Sequence, residues 1–281
     1  MIRFLSIIFT VVILHSCSTK ENKEGPATYD NLITAGGTIS EIIYELGYGN
    51  RIIATDITST FPASLQQLPS IGYRNQIKAE GIFALGPDAV LMEEGYLSAE
   101  VLSQLQASGL PVYVFKKPVT VQESKDLIMD LGKLFQEEEK AAGLISQMEG
   151  DLAKLKANAT TTKNTAVFIM ARGPETVFLA GEETFASALF EVAGLEPAAR
   201  GFKDFIPLTP EALIQYDPDH IILFESGLQS LGGKGGLSKI NGIQQTKAYI
   251  NNNIHAFDGH YLSGFGPRVG KAALDLQALK H

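Results

Sequence analysis

Glu80-Gly81-Ile82-Phe83-Ala84-Leu85-Gly86-Pro87-Asp88-Ala89-Val90-Leu91 is matched 131 residues further on by Glu211-Ala212-Leu213-Ile214-Gln215-Tyr216-Asp217-Pro218-Asp219-His220-Ile221-Ile222. In each copy a glutamate is followed by a short helical pattern, then by Pro-Asp seven positions later, then by an apolar run of strand length. Proline cannot continue a helix and aspartate bonds to nearby backbone, so Pro-Asp marks the turn between the two elements. One helix, turn and strand unit per half predicts two similar, Rossmann-like α/β lobes.

The flanking sequence extends the pattern. Asn31 to Ala35 is a short apolar run closed by Gly36-Gly37, and Thr38 to Gly47 has helical spacing, with Thr38 as a cap, Glu41 three positions on and Gly47 as a stop. Arg51–Thr55, Ala89–Met92 and Val112–Phe115 read as strands, the last two separated by a helix between Ser98 and Ser108. In the second half Thr165–Met170, Thr176–Ala180 and His220–Phe224 read as strands, Thr184–Ala193 as a helix ended by Gly194, and a final helix follows Gly266-Pro267. Strands alternating with helices predict mainly parallel sheets covered on both faces. Residues 122–157 hold no proline and carry apolar residues at helical spacing, a helix of up to 36 residues, roughly 54 Å. Such a length fits one element joining two lobes, with Gly132, Gly143 and Gly150 as break points otherwise. The resulting division is a signal segment 1–16, a tether 17–29, an N-terminal lobe 30–118, a linker helix 119–160 and a C-terminal lobe 161–281.

Composition narrows the function. The 281 residues are 45% hydrophobic and 19% charged, with one Cys and no Trp, which excludes a disordered or disulfide-stapled chain. A net charge of −8 without a basic run argues against nucleic acid as a partner. Arg3 followed by the apolar Phe4–Leu14 is a signal-peptide pattern, too short to span a bilayer. Cys17 stands directly after Leu14-His15-Ser16, a small residue before a lone Cys as in a bacterial lipobox, although His15 departs from the usual small or apolar residue. Cleavage before Cys17 would leave an acylated N-terminus and a polar tether, anchoring the domain to a membrane of the cell envelope.

No Gly-x-Ser-x-Gly elbow, Cys-x-x-Cys, His-Glu-x-x-His or Walker loop occurs. Gly232-Gly233-Lys234-Gly235-Gly236 lacks the Ser or Thr of a phosphate loop and reads as a turn. His255 and His260 are the one closely spaced histidine pair, a weak metal signal. The absence of these signatures weighs against an enzyme, although a site assembled in space leaves no linear trace.

Thr58-Ser59-Thr60-Phe61-Pro62 and Leu68-Pro69-Ser70-Ile71-Gly72-Tyr73-Arg74-Asn75-Gln76-Ile77-Lys78-Ala79-Glu80-Gly81 resemble the most specific region of the haem-binding periplasmic substrate-binding proteins that serve ABC importers. Gly201-Phe202, Pro207–Leu213, Glu225–Gly233 and Gly264–Arg268 resemble further segments of that family, so that the likeness spans about residues 31–280. It implies two α/β lobes bridged by one long helix with the ligand cleft between them. It implies haem as the transported ligand, Tyr73 as axial iron ligand, and an ABC permease dimer with its ATPase as partner of a monomeric protein. A phenolate is a hard anionic donor suited to ferric iron, and a neighbouring cation such as Arg74 favours its ionised form. No histidine stands at Met170-Ala171-Arg172-Gly173, where some members carry a second ligand, which leaves Arg172 for the opposite face or a propionate. Arg268 and Lys203 are further propionate candidates, while Ile206 replaces what is often a basic residue. Glu80 and Glu211, one per lobe, look like the family's docking carboxylates for the permease; the same positions also suit a helix dipole. The same fold serves cobalamin and ferric siderophores, the alternative ligands; the missing Trp and the Tyr73 segment argue against cobalamin. A chelatase-type enzyme is the remaining reading, from a different class.

Overall fold

The computed structural model describes residues 29–158 and 164–279; the signal segment, Cys17 and nearly all of the tether lie outside them. In the first half β1 (Leu32–Ala35), α1 (Gly37–Ile43), β2 (Ile52–Thr55), α2 (Ala79–Ala84), β3 (Ala89–Glu93), α3 (Ala99–Ala107) and β4 (Val112–Phe115) alternate along the chain. The four strands form one parallel sheet in the order β2-β1-β3-β4. In β1 and β3 every residue is buried, as expected of strands covered on both faces.

Two helices follow, α4 (Val121–Phe135) and α5 (Glu138–Ala157), where one helix was expected. The break falls at none of the three glycines. Gln136 turns into the left-handed region at φ 55°, and the Glu137 N–H donates back to the Gly132 carbonyl at 2.7 Å, capping the last turn of α4. Gly132 has another role, because a Cβ there would stand 2.5 Å from the Cβ of Ala141. The bare backbone lets α5 turn back along α4, and Lys125 meets Glu149 at 2.5 Å across the pair. The expected rod is thus an antiparallel helical hairpin, whose 20-residue second arm leads into the second half.

That half contains β5 (Thr165–Ala171), β6 (Val177–Ala180), α6 (Phe185–Ala193), β7 (Glu196–Pro197), β8 (Phe205–Pro207), α7 (Pro210–Tyr216), β9 (His220–Phe224), α8 (Glu225–Ser230), α9 (Lys247–Ile250), β10 (Ile254–Phe257), α10 (Gly259–Ser263) and α11 (Val269–Ala278). Its sheet runs β10-β9-β5-β6-β8, with the short β7 also paired to β5. β10, β9 and β5 are parallel, whereas β6 and β8 add an antiparallel edge.

The Pro-Asp repeat has a structural meaning in both halves. The Asp88 carboxylate accepts the N–H groups of Asp30 and Asn31 at 3.0 and 2.9 Å, clipping the entry of β1 beside β3. The Asp219 carboxylate accepts the Thr165 N–H and hydroxyl at 2.8 and 2.9 Å, doing the same for β5 beside β9.

Each sheet has one face on a core of its own, around Ile33, Val90 and Leu105 in the first half and Val167, Leu213 and Leu223 in the second. The opposite faces share a third core. It runs from Leu32 and Ile42 through Leu131, Phe135, Met148 and Leu155 of the hairpin to Phe168, Leu189 and Leu276. α11 crosses α5 so closely that a Cβ on Gly270 would lie 3.0 Å from the Met148 carbonyl, and the Gln277 amide donates to the Leu155 carbonyl at 3.0 Å.

Candidate ligand-binding cleft

A cleft of about 710 Å³ opens between the two sheets, and residues of both halves line it. This lies within the ~300–1,000 Å³ of small-molecule sites. On one side stands the loop after β2. Gly72, at φ 102°, turns the chain so that Tyr73 and Arg74 reach the cleft. The Arg74 guanidinium lies 5.6 Å from the Tyr73 ring centre and 5.0 Å from that of Tyr96, a cation held between two aromatic faces. Its Nε is buried and has no hydrogen-bond partner. Tyr96 is buried, and its hydroxyl meets that of Thr58 at 2.9 Å. Burial, reinforced by the Glu93 and Asp56 carboxylates, pushes the Tyr96 phenol above its ordinary range, so Tyr96 stays neutral. Tyr73 is the more open of the two phenols, half-buried on the cleft wall.

Lys117, just after β4, also lines the cleft. Burial pulls its ammonium below the usual lysine range, against the pull of Glu93 and with the repulsion of Arg74. Glu93 is itself buried and accepts the Thr38 N–H at 3.1 Å.

The opposite wall is aromatic. Phe185, Phe205 and Phe224 come from α6, β8 and the end of β9 and gather around buried Phe168. The rings of Phe185 and Phe224 are stacked, 5.6 Å apart and 10° from parallel. Met170 and the exposed Arg172, at the end of β5, continue this wall.

Beneath the cleft the two halves are joined. Glu41, on α1, is 2% exposed, and its carboxylate accepts Nε and Nη2 of Arg268 at 2.7 and 2.9 Å and Nε2 of His260 at 2.7 Å. Burial alone would raise this carboxyl, but the hydrogen bonds and charges of His260 and Arg268 outweigh it and hold it below its ordinary value. The Thr38 hydroxyl donates to the Gly264 carbonyl at 2.7 Å. Gly37 is required here, since a Cβ would come within 2.5 Å of the His260 ring.

Tyr73, Arg74 and Arg172 therefore meet in one cleft, while other expected residues stand elsewhere. Arg268 is bonded to Glu41 and stacked 3.7 Å from the centre of the Phe61 ring, joining the lobes, and it does not line this cleft. Lys203 is paired with Glu183 at the exposed edge and does not line the cleft. The capping box expected of Thr38 and Glu41 is absent, because both side chains reach across to the other half. His255 and His260 do not meet: His255 faces His220, ring centres 5.6 Å apart, and His260 binds Glu41. Among the described residues no group of three or more metal-ligating side chains forms. Glu80 and Glu211 sit exposed in the first turns of α2 and α7. Gly232 to Gly236 make a tight turn, in which a Cβ on Gly236 would strike the Leu231 carbonyl at 1.9 Å. Sequence reasoning missed Tyr96, Lys117 and the three phenylalanines, which come from separate elements and share no linear motif.

Residues 32–261 match the family model described as periplasmic binding protein. The chain belongs to the periplasmic binding protein family. Among solved structures this binding protein is similar to the periplasmic heme-binding protein RhuT from Roseiflexus sp. RS-1 in its apo form, with a TM-score of 0.85, 32% identity, and 89% and 97% of the two chains covered. It is also similar to the periplasmic heme-binding protein BhuT in complex with two hemes, at 0.82 and 27%, with 89% and 97% covered. Among curated proteins it is 26% identical over 216 residues to the ABC transporter substrate-binding lipoprotein YvrC of Bacillus subtilis (strain 168), covering 75% of this chain and 68% of that one. A vitamin B12-binding protein of Vibrio parahaemolyticus is 23% identical, with 88% of each chain covered. The family and these neighbours are substrate-binding transport proteins, so this chain is a substrate-binding component of an ABC transporter in the periplasm or cell envelope, with a permease and an ATPase as partners.

Proposed function

We propose that this binding protein captures haem and delivers it to its ABC importer, held at the membrane by a lipid on Cys17. The observation that carries the reading is the pairing of Tyr73, under the Arg74 cation, with a wall of phenylalanines across the cleft. A flat, largely apolar iron chelate needs an anionic oxygen for its metal and aromatic faces for its ring. Tyr73 is the axial ligand, Arg74 lies against its ring, and Arg172 faces the opposite side of the haem or a propionate. Lobes 30–118 and 161–281 close on the ligand as a monomer, and Glu80 and Glu211 dock on the permease. Likeness to solved haem-binding proteins supports this reading.

A corrinoid cargo is the second reading, favoured by the relatives named for vitamin B12. Absorption titration of the fragment that starts after Cys17 separates the two. Ferric haem is expected to give a saturable Soret shift with a high-spin phenolate band, lost in Tyr73→Ala, while cyanocobalamin gives none. Saturable cobalamin binding with no Soret shift overturns the haem reading.

A further inference from the structure

The helix, Pro-Asp and strand repeat carries more than topology. In its first copy Ile82 is fully buried, at 0%, and the next residue, Phe83, is 42% exposed. In its second copy Leu213 is at 0% and Ile214 at 39%. One turn before each exposed apolar side chain, on the same helix face, stands Glu80 or Glu211. Both glutamates are exposed and neither has an ion pair or side-chain hydrogen bond among the described residues.

Each helix needs only its buried position to seat itself on its sheet, so the exposed position is free to be polar. Single exposed apolar residues are ordinary on any surface. A large one at the equivalent position of both lobes, each time beside an unpaired carboxylate, is not scatter. The surface is also concave beside Phe83 and, in the second lobe, at the start of α7. Phe83, Pro87, Leu110 and Pro111 border an open depression of about 400 Å³, and Pro207, Leu208, Pro210 and Ile240 border one of about 200 Å³ at the start of α7.

We infer that Glu80 with Phe83 and Glu211 with Ile214 form two equivalent docking points for a partner with two-fold symmetry, each point taking one cation and one apolar side chain of the partner. The importer's permease dimer is the occupant, because two matched points on one chain fit two copies of one surface and unpaired carboxylates call for basic residues. This rests on the docking role given above to the two glutamates and adds the apolar half. The halves divide the work: exposed charges steer the encounter and set its rate, while desolvated apolar contacts hold the complex and set its lifetime.

The test measures docking of the full chain, free and loaded with ferric haem, on the purified permease and ATPase complex in nanodiscs, with on- and off-rates followed separately. Phe83→Ser and Ile214→Ser are each expected to raise the off-rate about tenfold, the loss of one buried side chain. Their on-rates, haem titrations and melting temperatures stay those of the parent. Glu80→Gln/Glu211→Gln is expected to lower the on-rate and flatten its dependence on salt. Unchanged off-rates in both apolar variants, beside impaired docking of the double glutamine variant, overturn the inference and leave the glutamates' role standing. An effect in one lobe only overturns the paired form. Parent-like docking of the double glutamine variant overturns the glutamates' role and this inference with it.

Discussion

Glu41 meets three nitrogen donors that come from residues 219 and 227 positions away, and this is the residue-scale feature on which the join between the halves depends. A buried carboxylate with charged partners is costly to break from one side, since the orphaned guanidinium stays poorly solvated. Glu41→Gln is expected to lower stability by about 3–5 kcal/mol, read as a shift of the urea midpoint at unchanged slope. The same group sets a pH dependence. Its folded value lies below its unfolded one, so its contribution is complete above about pH 4.3 and fades as pH falls through the lowered value. Acid titration of the parent should therefore show a loss that Glu41→Gln lacks; parallel curves for the two would refute the assignment. The place of Tyr73 on the cleft wall was legible because the contiguous segment around Gly72-Tyr73-Arg74 resembles a known family, without which a loop tyrosine reads as an ordinary surface residue. Glu41 was not, because a Thr with a Glu three residues on reads equally well as a local cap, and its true partners lie 219 and 227 residues away, His260 on α10 and Arg268 just before α11.

Among elements, the helical hairpin tests how packing overrides periodicity. The apolar spacing of residues 122–157 predicts helix, and helix forms on both sides of Gln136. Neither glycine nor proline marks the bend, since what decides it is tertiary: Gly132 and Ala141 approach as only a bare backbone allows, and Gln136 takes the left-handed turn this requires. An L-residue there costs about 1 kcal/mol that glycine does not. Gln136→Gly is accordingly expected to raise the melting temperature or leave it level, whereas Gln136→Val lowers it by several degrees; the reverse order would mean that 136 is not the bend. The repeat was legible because a local signal, Pro-Asp, coincides with a long-range one, the clip on the neighbouring strand. Asp219→Ala should cost about 1–3 kcal/mol, through the partly buried Thr165 N–H left without an acceptor, and Asp88→Ala less, because water can reach the exposed N–H groups of Asp30 and Asn31. Equal costs would show that exposure of the first clip does not weaken it. The aromatic wall was illegible for the opposite reason, as Phe185, Phe205 and Phe224 each sit in an ordinary apolar context and meet only through the order of the second sheet.

At the scale of the molecule, two sheets with a cleft between them suggest two bodies on a hinge, but the core argues otherwise. One apolar cluster passes from Leu32 and Ile42 of the first half, under Leu131, Phe135 and Met148 of the hairpin, to Phe168 and Leu276 of the second. Neither half can be removed without exposing the faces of α4, α5 and α11 that the other half covers. Cooperativity follows the core and not the sheets, so the mature domain is expected to unfold in one transition, with calorimetric and van't Hoff enthalpies equal. Leu131→Ala, a seam substitution costing about 2–5 kcal/mol, should then lower the melting temperature of that single transition without splitting it. Ligand bound across the cleft should raise the same transition as a whole, by an amount that grows with the logarithm of free ligand. Two resolved transitions, of which Leu131→Ala or ligand moves only one, would contradict the shared core. A single transition would mean that the lobes close by small adjustments around a fixed seam, because wider opening would have to pull apart apolar surfaces buried on both sides of it.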